Sequence, residues 1–194
     1  MTAKYDLGPA AEQIKTLIDG VTDEHLDGPT PCAEYTVRDL LGHLLGLTAV
    51  FRNAATRTGD TAAPPEEPGT LVTGDWPARL AARLDELALA WRDPNAWEGV
   101  TGAGGVELPS SLAGTIALNE LLLHGWDLAR ATGQPFRADP DSVRASLEFT
   151  ELVNSPRWTA GRAGLFDDVV EVPSDAPDLD RTLGLSGRDP AWTP

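Results

Sequence analysis

Residues 116–133 read IALNELLLHGWDLARATG and combine an apolar helical repeat with two potential metal ligands. Side chains four residues apart lie on the same face of an α-helix, so Glu120 and His124 share one face. That face also carries three apolar residues, Ile116, Leu128 and Ala131. The pattern therefore predicts that both polar side chains point into the protein. An ionised carboxylate on a buried face is costly unless it is paired or binds a cation.

A third candidate ligand, His43, lies in an earlier helical stretch that begins near Val37 and ends near Arg57. Apolar residues recur in this stretch at helical spacing, at Leu40, Leu41, Leu44, Leu47 and Phe51. His43 lies three residues after Leu40 and four before Leu47, so the pattern places it on the apolar stripe. Two long antiparallel helices could bring His43 against the Glu120–His124 pair.

Together, His43, Glu120 and His124 would supply two imidazoles and one carboxylate. This ligand set is typical of catalytic zinc with an open fourth position, and it also suits nickel or iron. Cys32 is the only cysteine, which excludes a cysteine-based zinc cluster and an internal disulfide. A structural interpretation stays open, because a buried histidine is more often a satisfied core residue and Glu120 could simply form a hydrogen-bonded pair with His124.

Five helical stretches separated by polar loops predict the architecture. Their approximate bounds are 10–21, 37–57, 76–92, 110–132 and 139–153. Helices of this length predict an all-α, up-down four-helix bundle with one extra helix. The glycine-rich residues 95–109 favour a turn or short hairpin, and the loop 58–74 is a candidate lid. We expect a bundle domain, 1–160, and an irregular tail, 161–194, that packs on it and contains a β-like run at 169–173.

The composition argues against several classes of partner. The formal net charge of −15 disfavours nucleic-acid backbones and anionic membrane surfaces, both of which attract clustered lysine and arginine. No stretch reaches about 18 unbroken apolar residues, and the first residues lack the pattern of a signal peptide. We therefore expect a cytoplasmic protein, with a homodimer left open.

Two segments resemble the motifs of a known family. Residues 30–44, TPCAEYTVRDLLGHL, are similar to the N-terminal motif of the mycothiol-dependent maleylpyruvate isomerase-like proteins. These proteins belong to the DinB/YfiT-like superfamily of metal-binding four-helix bundles. Residues 119–133 resemble the second motif of the family, and residues 180–192 resemble the C-terminal signature of a short actinobacterial branch. Order and spacing match over nearly the whole chain.

The resemblance implies a DinB-like bundle in which His43, Glu120 and His124 bind a divalent metal, with zinc favoured. It also implies a thiol cofactor, mycothiol or a related low-molecular-weight thiol, which adds as a thiolate to an electrophilic carbon of a small substrate. The expected activity is that of a metal-dependent thiol S-transferase or thiol-assisted isomerase. The maleylpyruvate isomerases carry a second, α/β domain, whereas about 40 residues follow Val153 here, so transfer onto another electrophile is expected instead of maleylpyruvate isomerisation.

Asp127 is the candidate catalytic residue, because it follows His124 by three residues. It could orient that ligand as a hydrogen-bond acceptor or act as the base of a metal-dependent hydrolase. A helix-terminal ion pair between Asp127 and Arg130 is slightly favoured over these roles. For the chain as a whole, two non-catalytic alternatives stay open: a bundle with a structural or stress-related ion, and a dimerising module whose metal is incidental.

Three further residues have structural interpretations at least as strong as functional ones. Asp39 could bond to His43 or stabilise the start of its helix. Cys32 is a candidate reactive thiol, although a packed small side chain is favoured. Trp126 is expected in the core or in the wall of a pocket.

Overall fold

The computed structural model describes residues 4–63, 65–158, 162 and 164–194. The main elements in these ranges are six α-helices and one β-hairpin. In chain order the elements are α1 (Gly8–Ile18), α2 (Val37–Thr56), α3 (Trp76–Trp91), β1 (Val100–Ala103), β2 (Val106–Pro109), α4 (Ser110–Ala131), α5 (Pro140–Val153) and α6 (Asp178–Leu185). The predicted boundary between bundle and tail, at residues 160 and 161, lies outside the described residues.

The first four helices form a bundle. Both α1 and α2 pack against α3 and α4, so the order of helices around the bundle is α1, α3, α2, α4. This order puts α2 and α4, the two helices with predicted metal ligands, side by side. The helix α5 packs against α4, and α6 packs against α5. The predicted all-α four-helix bundle with an extra helix is confirmed.

The core consists of the apolar stripes that define the helices in the sequence. In α3 the predicted stripe is fully buried, at Leu80, Leu84, Leu87 and Trp91. The Trp91 indole nitrogen donates a hydrogen bond of 3.1 Å to the carbonyl oxygen of Phe51 on α2, which satisfies its one polar atom. Most of α4 is buried because it contacts α1, α2 and α5. None of the helices in the described ranges is long and apolar enough to span a membrane.

The start of α2 is fixed by a capping box between Thr36 and Asp39. Thr36 Oγ1 accepts a 3.2 Å hydrogen bond from the Asp39 amide, and Asp39 Oδ2 accepts one of 3.2 Å from the Thr36 amide. Two backbone donors of the first helical turn are thereby satisfied. Of the two interpretations of Asp39, the structure therefore supports the one in which it stabilises the start of α2. Its carboxylate bonds to Thr36 and not to His43.

The segment Pro68–Leu71 docks against α2 at Gly42. A Cβ atom at Gly42 would lie 1.9 Å from the carbonyl oxygen of Pro68, which is backbone and cannot rotate away. We expect Gly42→Ala to lower the free energy of unfolding by roughly 1–3 kcal/mol, the usual cost of overpacking. An ordinary glycine-to-alanine change inside a helix has the opposite sign, about 0.5–1 kcal/mol of stabilisation. Denaturant unfolding measures the sign directly, and a stabilised variant would contradict the close approach of Pro68.

The hairpin confirms the turn or short hairpin predicted within residues 95–109. The strands pair in antiparallel register, with Val100 opposite Pro109 and Ala103 opposite Val106. Gly104 and Gly105 form the connection with φ angles of +62° and +81°. Positive φ at both central positions suits the twist of a two-residue hairpin, and glycine adopts it without strain.

The C-terminal region differs most from the sequence-based expectation. The helix α6 was not predicted, and its Leu183 is buried against Leu123 and Trp126 of α4. The predicted β-like run at 169–173 is not a strand. Its backbone bonds to the end of a helix instead, from the Val170 amide to the Gly184 carbonyl oxygen at 3.0 Å. A strand requires a partner that runs alongside it, and a helix end cannot provide one.

Candidate metal centre

The adjacent helices α2 and α4 bring His43, Glu120 and His124 together. Glu120 Oε2 lies 3.2 Å from His43 Nε2 and 3.1 Å from His124 Nε2. One donor atom from each residue lies within 4.8 Å of the other two. The two imidazole rings meet edge to face, with centroids 4.8 Å apart. The residues selected from separate helical stripes thus form one cluster.

The donor atoms of this cluster suit a divalent ion. Zinc takes imidazole nitrogen and carboxylate oxygen at about 2.0–2.2 Å, so ligand atoms on a tetrahedral ion lie roughly 3.4 Å apart. The separations of 3.1 and 3.2 Å from Glu120 Oε2 to the two imidazole nitrogens are close to that value, and all three donor atoms lie within 4.8 Å of one another. Two neutral imidazoles and one carboxylate also leave coordination positions for an exchangeable ligand. His43, Glu120 and His124 are therefore the residues that would hold the ion.

Asp127 lies behind His124 and is fully buried. Its Oδ2 atom is 3.0 Å from His124 Nδ1, the ring nitrogen that faces away from Glu120. Arg188 contacts the same carboxylate twice: Arg188 Nε donates to Oδ1 at 2.8 Å, and Nη2 donates to Oδ2 at 2.7 Å. The favoured ion pair of Asp127 with Arg130 is wrong, because Asp127 pairs with Arg188 and Arg130 donates to the carbonyl oxygen of Trp192.

His43 has a different partner on its outer side. The hydroxyl of Tyr35 lies 3.4 Å from His43 Nδ1, and the two rings are tilted with centroids 5.4 Å apart. Burial raises the pKa of Tyr35, and the negative charges of a Cys32 thiolate and of the Glu120 carboxylate act in the same direction. Tyr35 therefore stays a neutral hydroxyl near neutral pH and can donate or accept a hydrogen bond beside His43.

The charges of the cluster depend on one another. Burial alone would raise the pKa of Glu120, but hydrogen bonds from His124 and His43 outweigh it and hold that pKa well below its usual range. Burial would lower the pKa of His124, yet its hydrogen bonds to Asp127 and Glu120 raise it to about 9. Without a metal, His124 is thus an imidazolium between two carboxylates at neutral pH.

A cavity of about 400 Å³ opens onto this cluster. Its wall is formed partly by the loop before α2 and partly by the C-terminal region, and the lining residues are Cys32, Glu34, Tyr35, His43, Glu120, Leu123, His124, Gly164, Leu165, Phe166, Asp167 and Arg188. The candidate lid, residues 58–74, is absent from this lining as far as the chain is described. Residues 66–70 instead border a neighbouring surface cavity together with Arg38 and Asp39.

The structure adds residues to the site that the sequence pattern did not identify. Arg188 and Phe166 come from the C-terminal region, and Tyr35 comes from the loop before α2. Tyr35 and Arg188 both fall inside segments that carry the family resemblance, which was the available signal for them. Cys32 lines the cavity, but burial and the charge of Asp127 raise the pKa of its thiol to about 11. Trp126 lies in the core, as predicted.

Comparisons with known proteins agree with this fold. The family model of the mycothiol maleylpyruvate isomerase N-terminal domain matches residues 7–129, a stretch that contains His43, Glu120, His124 and Asp127. Uncharacterized protein MT0763 and Uncharacterized protein Rv0738, from two strains of Mycobacterium tuberculosis, are each 30% identical over 182 residues. These alignments cover 92% of this chain and 93% of each relative.

Solved structures give the same answer for the fold. Crystal structures of the mycothiol-dependent maleylpyruvate isomerase and of a mutant of it superpose with a TM-score of 0.58. The alignments cover 76% of this chain and 69% of those chains, at 16% identity for the mutant and 15% for the other structure. At this identity the likeness shows the fold alone. Because the family model matches well over half of the sequence, the chain belongs to the mycothiol maleylpyruvate isomerase N-terminal domain family.

Proposed function

We propose that this protein is a metal-dependent enzyme that uses mycothiol, or a similar low-molecular-weight thiol, on a small electrophilic substrate. The observation that supports the proposal best is the convergence of His43, Glu120 and His124 on an open cavity of about 400 Å³. A cavity of this volume is within the usual range for small-molecule sites. Family membership supports the thiol, since the structurally similar isomerases are mycothiol-dependent.

The residues around the cluster have distinct roles in this proposal. A divalent ion, with zinc favoured over nickel or iron, would supply Lewis-acid chemistry that favours the thiolate form of a thiol. Glu120 contributes the negative charge that offsets part of the charge of the ion. Asp127 accepts from His124 Nδ1, so that His124 Nε2 stays directed at the cluster. This makes Asp127 a positioning residue, because its fully buried carboxylate is bonded to His124 and Arg188.

The cavity wall suits a polar thiol with an apolar electrophile beside it. Leu123, Leu165 and Phe166 provide apolar surface, which would limit the access of water. Glu34 and Asp167 provide carboxylates that can accept hydrogen bonds from hydroxyl groups of the thiol. The cavity has enough polar lining for orientation and enough apolar lining for a small organic substrate.

Two reaction outcomes are consistent with this arrangement. In an isomerisation, the thiol sulfur adds to one carbon of a conjugated double bond, the bond to the neighbouring carbon rotates, and the thiol leaves unchanged. In a transfer, the new carbon–sulfur bond persists and the adduct is released. On a conjugated carbonyl compound the proton of the thiol ends on the carbon next to the carbonyl, and on an activated halide the carbon–halogen bond breaks and the halide ion leaves. We favour transfer. A hydrolase is less well supported, since Asp127, the candidate base, is buried and already occupied by two partners.

The test is a thiol-dependent assay with the zinc-loaded protein. We expect mycothiol to disappear faster than its uncatalysed rate with at least one electrophile from a panel of conjugated carbonyl compounds and activated halides. The Glu120→Gln and His43→Ala variants should return to the uncatalysed rate, whereas His25→Ala, which changes a histidine outside the cluster, should not. Full metal loading of the wild type without acceleration across the panel would instead favour a non-catalytic metal-binding bundle.

A further inference from the structure

The C-terminal region reaches the back of the candidate metal centre through one side chain, Arg188. Its guanidinium makes two parallel hydrogen bonds to the Asp127 carboxylate across 61 residues of sequence, of 2.8 and 2.7 Å. Arg188 is 7% exposed and Asp127 is fully buried. Paired bonds of this kind fix the plane of a carboxylate as well as its position, which a single point charge does not do.

Asp127 Oδ2 is shared between Arg188 and His124. It lies 2.7 Å from Arg188 Nη2 and 3.0 Å from His124 Nδ1. The other nitrogen of the same imidazole, His124 Nε2, faces Glu120 in the cluster. A continuous chain of contacts therefore runs from the guanidinium through the carboxylate to a proposed metal ligand.

The backbone around Arg188 is itself held firmly. The Arg188 amide donates to the Leu183 carbonyl oxygen at 2.9 Å, at the end of α6. Arg188 Nη1 lies 3.3 Å from the Ser186 carbonyl oxygen. Leu183 is fully buried against α4. Arg188 is thus attached to a packed element, so its guanidinium can hold the orientation of another group.

We infer that Arg188 is a positioning residue of the metal centre, which fixes Asp127 so that His124 presents Nε2 to the ion. The inference rests on the metal site of the proposed function and assigns a residue outside the stretch that the family model matches, 7–129. Groups that orient a ligand from behind typically change metal affinity by about 10–100-fold when removed. Arg188 acts one step further out, through the carboxylate that makes the contact.

The competing explanation is that the Arg188–Asp127 pair only fastens the C-terminal region to the bundle. A second tail arginine separates the two explanations. Arg181 on α6 contacts Glu151 of α5 at 2.6 Å and Asp178 at 3.3 Å, and touches none of the proposed ligands. Arg181→Met therefore loosens tail packing without disturbing Asp127, and is the matched control.

The experiment measures zinc affinity by competition with a chromophoric chelator for the wild type, Arg188→Met, Arg188→Lys and Arg181→Met. We expect Arg188→Met to bind zinc about tenfold more weakly, at the lower end of that range, because Arg188 acts through Asp127. Arg188→Lys should be intermediate, because lysine keeps the charge but cannot make the paired bonds. Arg181→Met should bind as the wild type does. The visible spectrum of the cobalt-loaded Arg188 variants should also change, since it reports the geometry of the ligands.

Wild-type zinc affinity and an unchanged cobalt spectrum in Arg188→Met, with only a lower unfolding temperature, would overturn the inference. Because Arg188→Met leaves Asp127 buried without its cation, the double variant Asp127→Asn/Arg188→Met removes both charges and guards against a folding failure. With Asp127→Asn measured beside it, the double variant should lose no more zinc affinity than whichever of Asp127→Asn and Arg188→Met binds more weakly, as expected for residues that act in series. A wild type that binds no zinc would overturn the proposed metal site itself, which distinguishes the two failures.

Discussion

Purified wild-type protein is expected to contain close to one equivalent of divalent metal, and the His43→Ala and His124→Ala variants are expected to lose nearly all of it. Each change removes one of three donor residues whose atoms lie within 4.8 Å of one another. A site with two remaining donors does not complete the set found in three-ligand catalytic zinc centres. Elemental analysis after gel filtration, together with protein quantification, gives the ratio of metal to chain.

His25→Ala is the control for the loss of a histidine as such. His25 Nδ1 accepts a hydrogen bond from the Thr22 amide at 3.0 Å, and the residue lies outside the cluster. Its metal content should match that of the wild type. Little metal in the wild type, even after incubation with zinc or nickel, would make Glu120 and His124 a buried structural pair and favour a non-catalytic bundle.

Zinc affinity should rise with pH by about tenfold per unit over the range from pH 6 to 8. In the metal-free protein, hydrogen bonds to Asp127 and Glu120 raise the pKa of His124 to about 9 against the effect of burial. Below that pKa the ring carries a proton on Nε2, which zinc must displace. At pH 7, two units below the pKa, affinity is therefore expected to be roughly 100-fold weaker than its limit above pH 9.

Glu120 does not change this slope, since its pKa lies well below the measured range and the carboxylate stays ionised. Calorimetry in buffers of different ionisation enthalpy should detect release of about one proton from His124 per zinc bound. In Asp127→Asn one of the interactions that raise the pKa of His124 is weakened, so the affinity should level off at a lower pH. A zinc affinity that is flat from pH 6 to 8 would contradict a protonated His124 in the metal-free state.

The sequence identified the candidate ligands because each lies on a long, regular helix. Glu120 and His124 share a face by their four-residue spacing, and His43 follows the apolar stripe of α2. Such periodicity is a local property, so it can be read without knowing the partner helix. The family resemblance supplied what periodicity lacks, namely that the two helices are neighbours.

The C-terminal contribution could not be read in the same way. The helix α6 has eight residues and is rich in aspartate, which gives too short a repeat for a periodic signal. The contact of Arg188 with Asp127 spans 61 residues, and nothing in the local sequence of either residue specifies the other. Tyr35 likewise lies in a loop, where no regular spacing predicts the direction of a side chain.

The separation of the ligands along the chain has a thermodynamic consequence. His43 and Glu120 are 77 residues apart, with α3 and the hairpin between them. Only the folded chain brings these two ligands together, so an ion held by both would be released when the protein unfolds. At a free-ion concentration about 100 times the dissociation constant, such linkage adds about 2.7 kcal/mol to stability. The lifetime of the folded chain would then follow the supply of metal in its surroundings.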